Sequence, residues 1–161
     1  MVMARPATAG DAAELVRLRG LMLAAVTGTE PPPGPWQDVA REDLREWLAE
    51  PEGSLAAFVV DAPDGGLAAC AVGTIERRLG GPTNPDGRVG YVFNVCTDPE
   101  HRRRGYSRAC MTALLDWYRR RGVRRIDLRA SAAGQPLYRS LGFQPTRDPT
   151  MRLALPGDPV G

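Results

Sequence analysis

Between residues 55 and 97 three strand-length apolar runs follow one another: Leu55–Asp61, Leu67–Arg78 and a third at about 88–97. The stretches between them, Ala62-Pro63-Asp64-Gly65-Gly66 and then residues 80–87, are rich in turn formers. Asp-Gly between two apolar runs is a hairpin signal, because glycine adopts the positive φ that tight hairpin turns require. Three antiparallel strands in a row are expected. The period then changes from 2 to 3.6. Tyr106, Cys110, Ala113, Leu114, Trp117 and Tyr118 fall on one helical face over 105–121, Gly122 supplies a C-terminal stop, and 125–130 reads as another strand. A strand–helix–strand connection of this length points to parallel pairing. The fold class expected is α+β (mixed α/β): one central mixed, mostly antiparallel sheet flanked by helices.

The flanking segments fit that frame. Residues 3–8 read as a short first strand, and Asp11 can cap a helix over about 12–26 with Leu15, Leu18, Met22 and Val26 at helical spacing. Thr27 to Pro35, with four prolines, reads as a stiff connector. A second helix is expected over about 38–49, with Asp38 as N-cap and Leu44, Trp47 and Leu48 inward. A short helix near 135–141 ends at Gly142, and Met151–Leu155 alternates as a last strand. With no internal repeat and no domain boundary, the 161 residues read as a single domain, 1–161.

Composition removes several function classes. At 43% hydrophobic and 25% charged the chain is globular in type. Its longest apolar runs, Leu67 to Val72 among them, are far short of the roughly 20 residues of a membrane span, and no apolar leader precedes Asp11. Cys70, Cys96 and Cys110 are odd in number and lack metal-ligand spacing, and His101 is the only histidine, so no disulfide framework and no metal site is expected. The setting these features suggest is a reducing cytoplasm. All 21 basic residues are arginine, and they are unevenly spread. Residues 1–100 hold 8 Arg against 15 Asp plus Glu, a balance of −7; residues 101–129 hold 10 Arg against 2 Asp, a balance of +8. A basic block on an otherwise acidic chain is expected to bind an anion.

That block opens with Val95-Cys96-Thr97-Asp98-Pro99-Glu100-His101-Arg102-Arg103-Arg104-Gly105-Tyr106-Ser107-Arg108, a strand running through a tight turn into a helix. Amides at a helix start have no intrahelical partner and the helix dipole is positive there, so three arginines at that end are unfavourable unless an anion joins them. Glycine at 105 lets the backbone approach a bulky anion. The physical reading is a pyrophosphate cradle, without the Gly-Lys-Ser/Thr of a P-loop or the Gly-x-Gly-x-x-Gly of a dinucleotide site.

On these residues the chain resembles the GNAT superfamily of N-acetyltransferases. The family's Arg/Gln-x-x-Gly-x-Gly/Ala turn is matched by Arg102, Gly105 and, with a departure, Ser107; its Leu-Tyr-x-x-x-Gly-Phe segment is matched by Leu137-Tyr138-Arg139-Ser140-Leu141-Gly142-Phe143. The resemblance implies a cleft between splayed strands, with acetyl-CoA as co-substrate and no metal. The cofactor residues it implies are Arg102, Arg103, Arg104, Gly105, Tyr106 and Ser107 around the pyrophosphate, and Val95, Cys96 and Thr97 along the pantetheine arm. Ser131 stands where many relatives place a pantetheine-binding Asn. An amide near Val95 or Cys96 would polarise the thioester carbonyl. Tyr138 matches the general acid, a phenol that stays protonated at neutral pH. For the general base the resemblance asks for a carboxylate on a central strand, but Tyr91 stands where some relatives carry Glu. Glu76 on the preceding strand is the nearest acid, and beside Arg77 and Arg78 it reads equally as a solvated strand-end charge. Asn94, Tyr91 and Glu30 are the substrate-side candidates, Glu30 together with Asp38, Glu42 and Asp43 on the wall formed by the first two helices. Cys96 is expected to pack rather than react.

The function implied is transfer of an acetyl group to a primary amine, on a small molecule or a peptide N-terminus, by direct attack in a ternary complex. A catalytically inactive acyl-CoA-binding regulatory module is the alternative. A nucleic-acid surface at Arg119–Arg121, Arg124 and Arg125 ranks last, because no aromatic residues interleave with them, and neither nucleic acid nor membrane is an expected partner. Family members are often homodimers, but no apolar stripe in this sequence demands one.

Overall fold

A computed structural model describes residues 2–157. Its elements are β1 (Arg5–Pro6), α1 (Ala12–Thr27), α2 (Pro35–Ala49), β2 (Leu55–Asp61), β3 (Leu67–Arg77), β4 (Arg88–Thr97), α3 (Tyr106–Arg120), β5 (Arg125–Leu128) and α4 (Gln135–Ser140), with single 3-10 turns at Ala9–Asp11 and Pro99–His101. The five strands form one sheet in the order β1-β2-β3-β4-β5. Neighbours pair antiparallel up to β4, and β4 pairs parallel with β5 through the α3 crossover. The mixed sheet expected from the sequence is present.

Helices cover both faces. Leu15 and Leu18 of α1, with Leu44 and Leu48 of α2, pack on Ala57, Val59, Cys70, Val72 and Cys96. Met111, Leu114, Leu115 and Tyr118 of α3 pack on the opposite face against Phe58, Val60, Ala69, Ala71 and Val92. The first seven residues of β3 are therefore buried on both sides, which is why Leu67–Val72 reads as a continuous apolar run rather than an alternation.

Several boundaries differ from the sequence reading. The first strand shrinks to Arg5–Pro6 and β5 stops at Leu128. Helix α2 starts at Pro35 instead of about 38: proline lacks the N–H that the first turn cannot use, and the preceding Gly34 N–H donates to Gln37 Oε1 at 2.6 Å, so Asp38 is not the cap. Asp11 stands at the N-cap position of α1, but its carboxylate turns back to the Thr8 N–H (2.8 Å) and to Arg5 (2.9 Å). Val26 and Trp47, expected inward, are 66% and 43% exposed. No strand forms at Met151–Leu155. Among the described residues nothing pairs with that segment, and Met151, Leu153 and Leu155 are exposed.

Candidate active site

The last residues of β4 part from β5. The parallel ladder ends at the pair Val92 and Leu128, while β4 continues to Thr97, so its edge from Phe93 onward faces a gap. A bulge lies at the opening. Cys70 pairs with Cys96 and Val72 with Phe93, which leaves Ala71 opposite both Asn94 and Val95. Asn94 absorbs the extra residue with a left-handed φ of 53°. The expected splay between β4 and the following strand is thus built into the register.

Beyond Thr97 the chain makes the cradle. Asp98 caps the 3-10 turn by accepting the Glu100 N–H at 3.1 Å. Arg103 (φ 63°) and Gly105 (φ 77°) both take left-handed backbone, and Gly105 is the N-cap of α3. A Cβ at Gly105 would meet no protein atom within 4 Å, so its space faces outward. The helix ladder begins with Ala109 N–H to Gly105 C=O (3.0 Å), which leaves the amides of Tyr106, Ser107 and Arg108 without intrahelical acceptors. Arg102, Arg103 and Arg104 are exposed, and among the described residues none pairs with a carboxylate. Ser107, the departure from the Gly/Ala of the motif, uses its hydroxyl: its Oγ hydrogen-bonds Thr97 Oγ1 at 2.5 Å and ties the end of β4 to the first turn of α3. Tyr106 is half-buried against the α3 core, with the His101 ring 6.5 Å away.

Tyr138 lies on the α3 side of the gap. Its ring packs edge-on to Phe143 at 6.1 Å, and Gly134 leaves it room, because a Cβ there would stand 2.7 Å from its Cε2. Burial pushes the phenol above its ordinary pKa, so it carries its proton at neutral pH. Tyr138 shares a cavity of about 660 Å³ with Tyr91, Asp127 and Arg78.

The carboxylates lie on the other face. Thr74 and Glu76 of β3, Val89 and Tyr91 of β4 and Asp127 of β5 point the same way, since Thr74 registers with Tyr91, Glu76 with Val89 and Tyr91 with Asp127. Glu76, expected as the base, is exposed and pairs with Arg78 at 2.7 Å. Asp127 is half-buried and makes no ion pair among the described residues. The sequence reading missed it. The usable signal was a lone acid one strand beyond Tyr91, and only the register gave it meaning.

Other sequence candidates are placed as follows. Asn94 is 6% exposed, and its Oδ1 accepts from Arg19 of α1 at 3.4 Å, so it braces the bulge against α1 and does not present itself to the gap. Ser131 Oγ accepts the Gly134 N–H at 3.2 Å, closing the turn before α4. Glu30 lines a separate cavity of about 700 Å³ between α1 and α2 with Arg17, Asp38 and Trp36. Cys96 is buried, and burial raises its thiol to about 11, which fits a packing role. The arginines at the far end of α3 have structural contacts: Arg119 binds Asp116 at 2.6 Å, and Arg121 stacks on Trp117 and donates to Gly53 C=O at 2.9 Å. No metal-binding cluster exists among the described residues, and no described helix is long and apolar enough to cross a membrane.

A splayed parallel pair, a bulge at its opening and a turn of free amides leading into the crossover helix stand together on one mixed sheet. The profile of the Acetyltransferase (GNAT) family matches residues 24–143, and the chain belongs to that family. The [ribosomal protein bS18]-alanine N-acetyltransferase of Escherichia coli K12 is 44% identical over 55 residues, a match spanning 32% of this chain and 37% of the relative. Glucosamine 6-phosphate N-acetyltransferase 1 of Oryza sativa is 28% identical over 148 residues, 87% of this chain and 88% of that one. A predicted acetyltransferase of Clostridium acetobutylicum, solved with acetyl-CoA, superposes with a TM-score of 0.80 at 27% identity, over 96% of both chains.

Proposed function

We propose that this chain is an acetyl-CoA-dependent N-acetyltransferase that acylates a primary amine by direct attack. The observation that carries the reading is the gap itself: an unpaired β4 edge with a bulge at Asn94–Val95, leading straight into a cradle of free amides and unpaired arginines. The cradle residues Arg102 to Ser107 suit a pyrophosphate, and the edge from Val95 to Thr97 suits an amide-bearing arm that joins the sheet as a further strand. Acetyl-CoA bound there supplies the activated acyl group. An amide at the bulge, of Val95 or Cys96, donates to the carbonyl oxygen as charge develops on it. Tyr138, on the α3 face, gives its proton to the leaving sulfur.

On the α1 face Asp127 replaces Glu76 as our assignment for the general base. Its carboxylate is unpaired and adjacent to Tyr91, whereas that of Glu76 is occupied by Arg78. Acid and base would then line one cavity, Tyr138 from the α3 face and Asp127 from the α1 face. Tyr91, with Glu30 on the more distant α1–α2 wall, remains as the acceptor-side candidate. The acceptor is an amine in the broad sense: the relatives above are named for an alanine of ribosomal protein bS18 and for glucosamine 6-phosphate.

The test begins with a thermal-shift titration of acetyl-CoA against wild type and Gly105→Glu. At 100 times its dissociation constant a ligand adds about 2.7 kcal/mol, roughly 5–10 °C for a domain of this size. A saturable shift in wild type that Gly105→Glu abolishes supports the site, and release of free CoA with members of an amine panel supports transfer. Binding without transfer to any amine would leave an acyl-CoA-binding module. No shift in wild type overturns the reading.

A further inference from the structure

We propose that Arg17 is a positioning residue that locks the hinge between the two halves of the cofactor site. The inference rests on the acetyl-CoA reading above. In that reading the cofactor grips two separate pieces of chain, the β4 edge up to Thr97 and the cradle from Arg102, and Asp98 is where one becomes the other. Its backbone is pinned on both sides: Asp98 N–H donates to Ala68 C=O at 2.8 Å, and its own C=O accepts the His101 N–H at 2.8 Å. Its carboxylate does two jobs. One oxygen caps the Glu100 N–H, and the other accepts Arg17 Nη1 at 2.8 Å.

Arg17 is itself held at several points. Nε donates to Glu14 Oε2 at 2.8 Å, and Nη2 donates to Glu14 Oε1 at 3.1 Å and to Leu67 C=O at 2.9 Å. Glu14 Oε1 also accepts the Leu67 N–H at 2.8 Å. One guanidinium thus joins α1, the start of β3 and the hinge. The same Arg17 lines the α1–α2 cavity, so the brace reaches from the wall that carries Glu30 to the mouth of the cradle.

With the Arg17 side chain 42% exposed, such pairs contribute little to global stability. Their consequence is geometric. A ligand that grips two segments binds tightly only when both are held at the right separation, and a loosened hinge lowers the effective concentration of the second contact. A ligand that uses the cradle alone is indifferent to the hinge.

The experiment is isothermal titration of the full chain with acetyl-CoA, and with ADP as a pyrophosphate probe that reaches only the cradle, ADP being measured by displacement. Wild type, Arg17→Gln, Asp98→Asn, the double variant and Arg17→Lys are compared. We expect Arg17→Gln and Asp98→Asn each to weaken acetyl-CoA about tenfold, with the double variant no weaker than either single one. ADP affinity should be unchanged throughout, and Arg17→Lys, which reaches only part of the network, should recover part of the loss. Equal loss of both ligands, or an unchanged acetyl-CoA affinity, overturns the hinge role and leaves the acetyl-CoA reading standing. A wild type that binds neither ligand overturns both.

Discussion

Tyr118 offers a test of how α3 is seated on the sheet. Its side chain is fully buried, and its hydroxyl sits between β3 and β4, donating to the Thr74 carbonyl at 3.0 Å with that of Tyr91 at 3.3 Å. The slot exists because two residues beneath it lack side chains. A Cβ at Gly90 would stand 2.6 Å from Tyr118 Cε1, and one at Gly73 would overlap the hydroxyl. Gly90→Ala therefore has to move the ring, which adds overpacking of about 1–3 kcal/mol to a lost buried hydrogen bond of about 1–3 kcal/mol. At about 2–4 °C per kcal/mol for a chain of this size, the melting temperature falls by roughly 4–24 °C. Tyr118→Leu alone empties the slot and costs about 2–4 kcal/mol through the cavity and the stranded carbonyls. Combined, the two changes compensate, since the alanine methyl enters the space the ring has left. The double variant should be at least about 1 kcal/mol more stable than the sum of the singles predicts. Urea unfolding at constant m-value measures all three. Strict additivity, or a Gly90→Ala cost below about 0.5 kcal/mol, would refute the slot.

Tyr138→Phe should lower turnover by roughly 10²–10⁴ with acetyl-CoA affinity unchanged, measured by CoA release and titration; an unaltered rate would remove Tyr138 from the acid role. Asp127→Asn should lower kcat/KM by a similar factor of roughly 10²–10⁴, while Glu76→Gln, whose carboxylate is already held by Arg78, should leave it nearly intact; the reverse ranking returns the base to Glu76. Cys96, with its thiol at about 11, should resist iodoacetamide at pH 8, and Cys96→Ala should retain transfer without a kinetic burst; rapid labelling of Cys96 in the folded protein would contradict its burial. Arg5 holds the Asp11 carboxyl below the ordinary carboxylate range, and Arg17 does the same for Glu14 and Asp98. Because the folded pKa values are depressed, the stability these groups contribute is complete above about pH 4–5 and is lost as pH falls through the lowered values. The drop in urea midpoint from pH 7 to pH 3 should therefore shrink in Arg5→Gln, and an unchanged drop would show that the ion pairs do not couple to folding.

What could be read from the chain alone is whatever its local chemistry encodes. The turns between residues 61 and 88 and the 3.6-residue spacing from Tyr106 to Tyr118 specified three antiparallel strands and a crossover helix, because glycine's backbone freedom and side-chain periodicity act over a few neighbouring residues. The cradle was legible for the same reason: a strand, a glycine turn and a helix start are contiguous, and so is the Leu137–Phe143 segment that presents Tyr138. The tertiary structure decided what depends on partners far along the chain. Asp127 became a candidate only through its register with Tyr91 on the neighbouring strand. The brace from Arg17 to Asp98 joins residues that no local pattern connects. Asn94 shows the physical reason most plainly. Side-chain alternation tells which face a residue occupies only while the ladder stays in phase, and the bulge opposite Ala71 shifts that phase by one residue. It sends Val95 to the α3 face and turns Asn94 toward α1, and nothing in Val92-Phe93-Asn94-Val95-Cys96 announces it until β3 lies alongside.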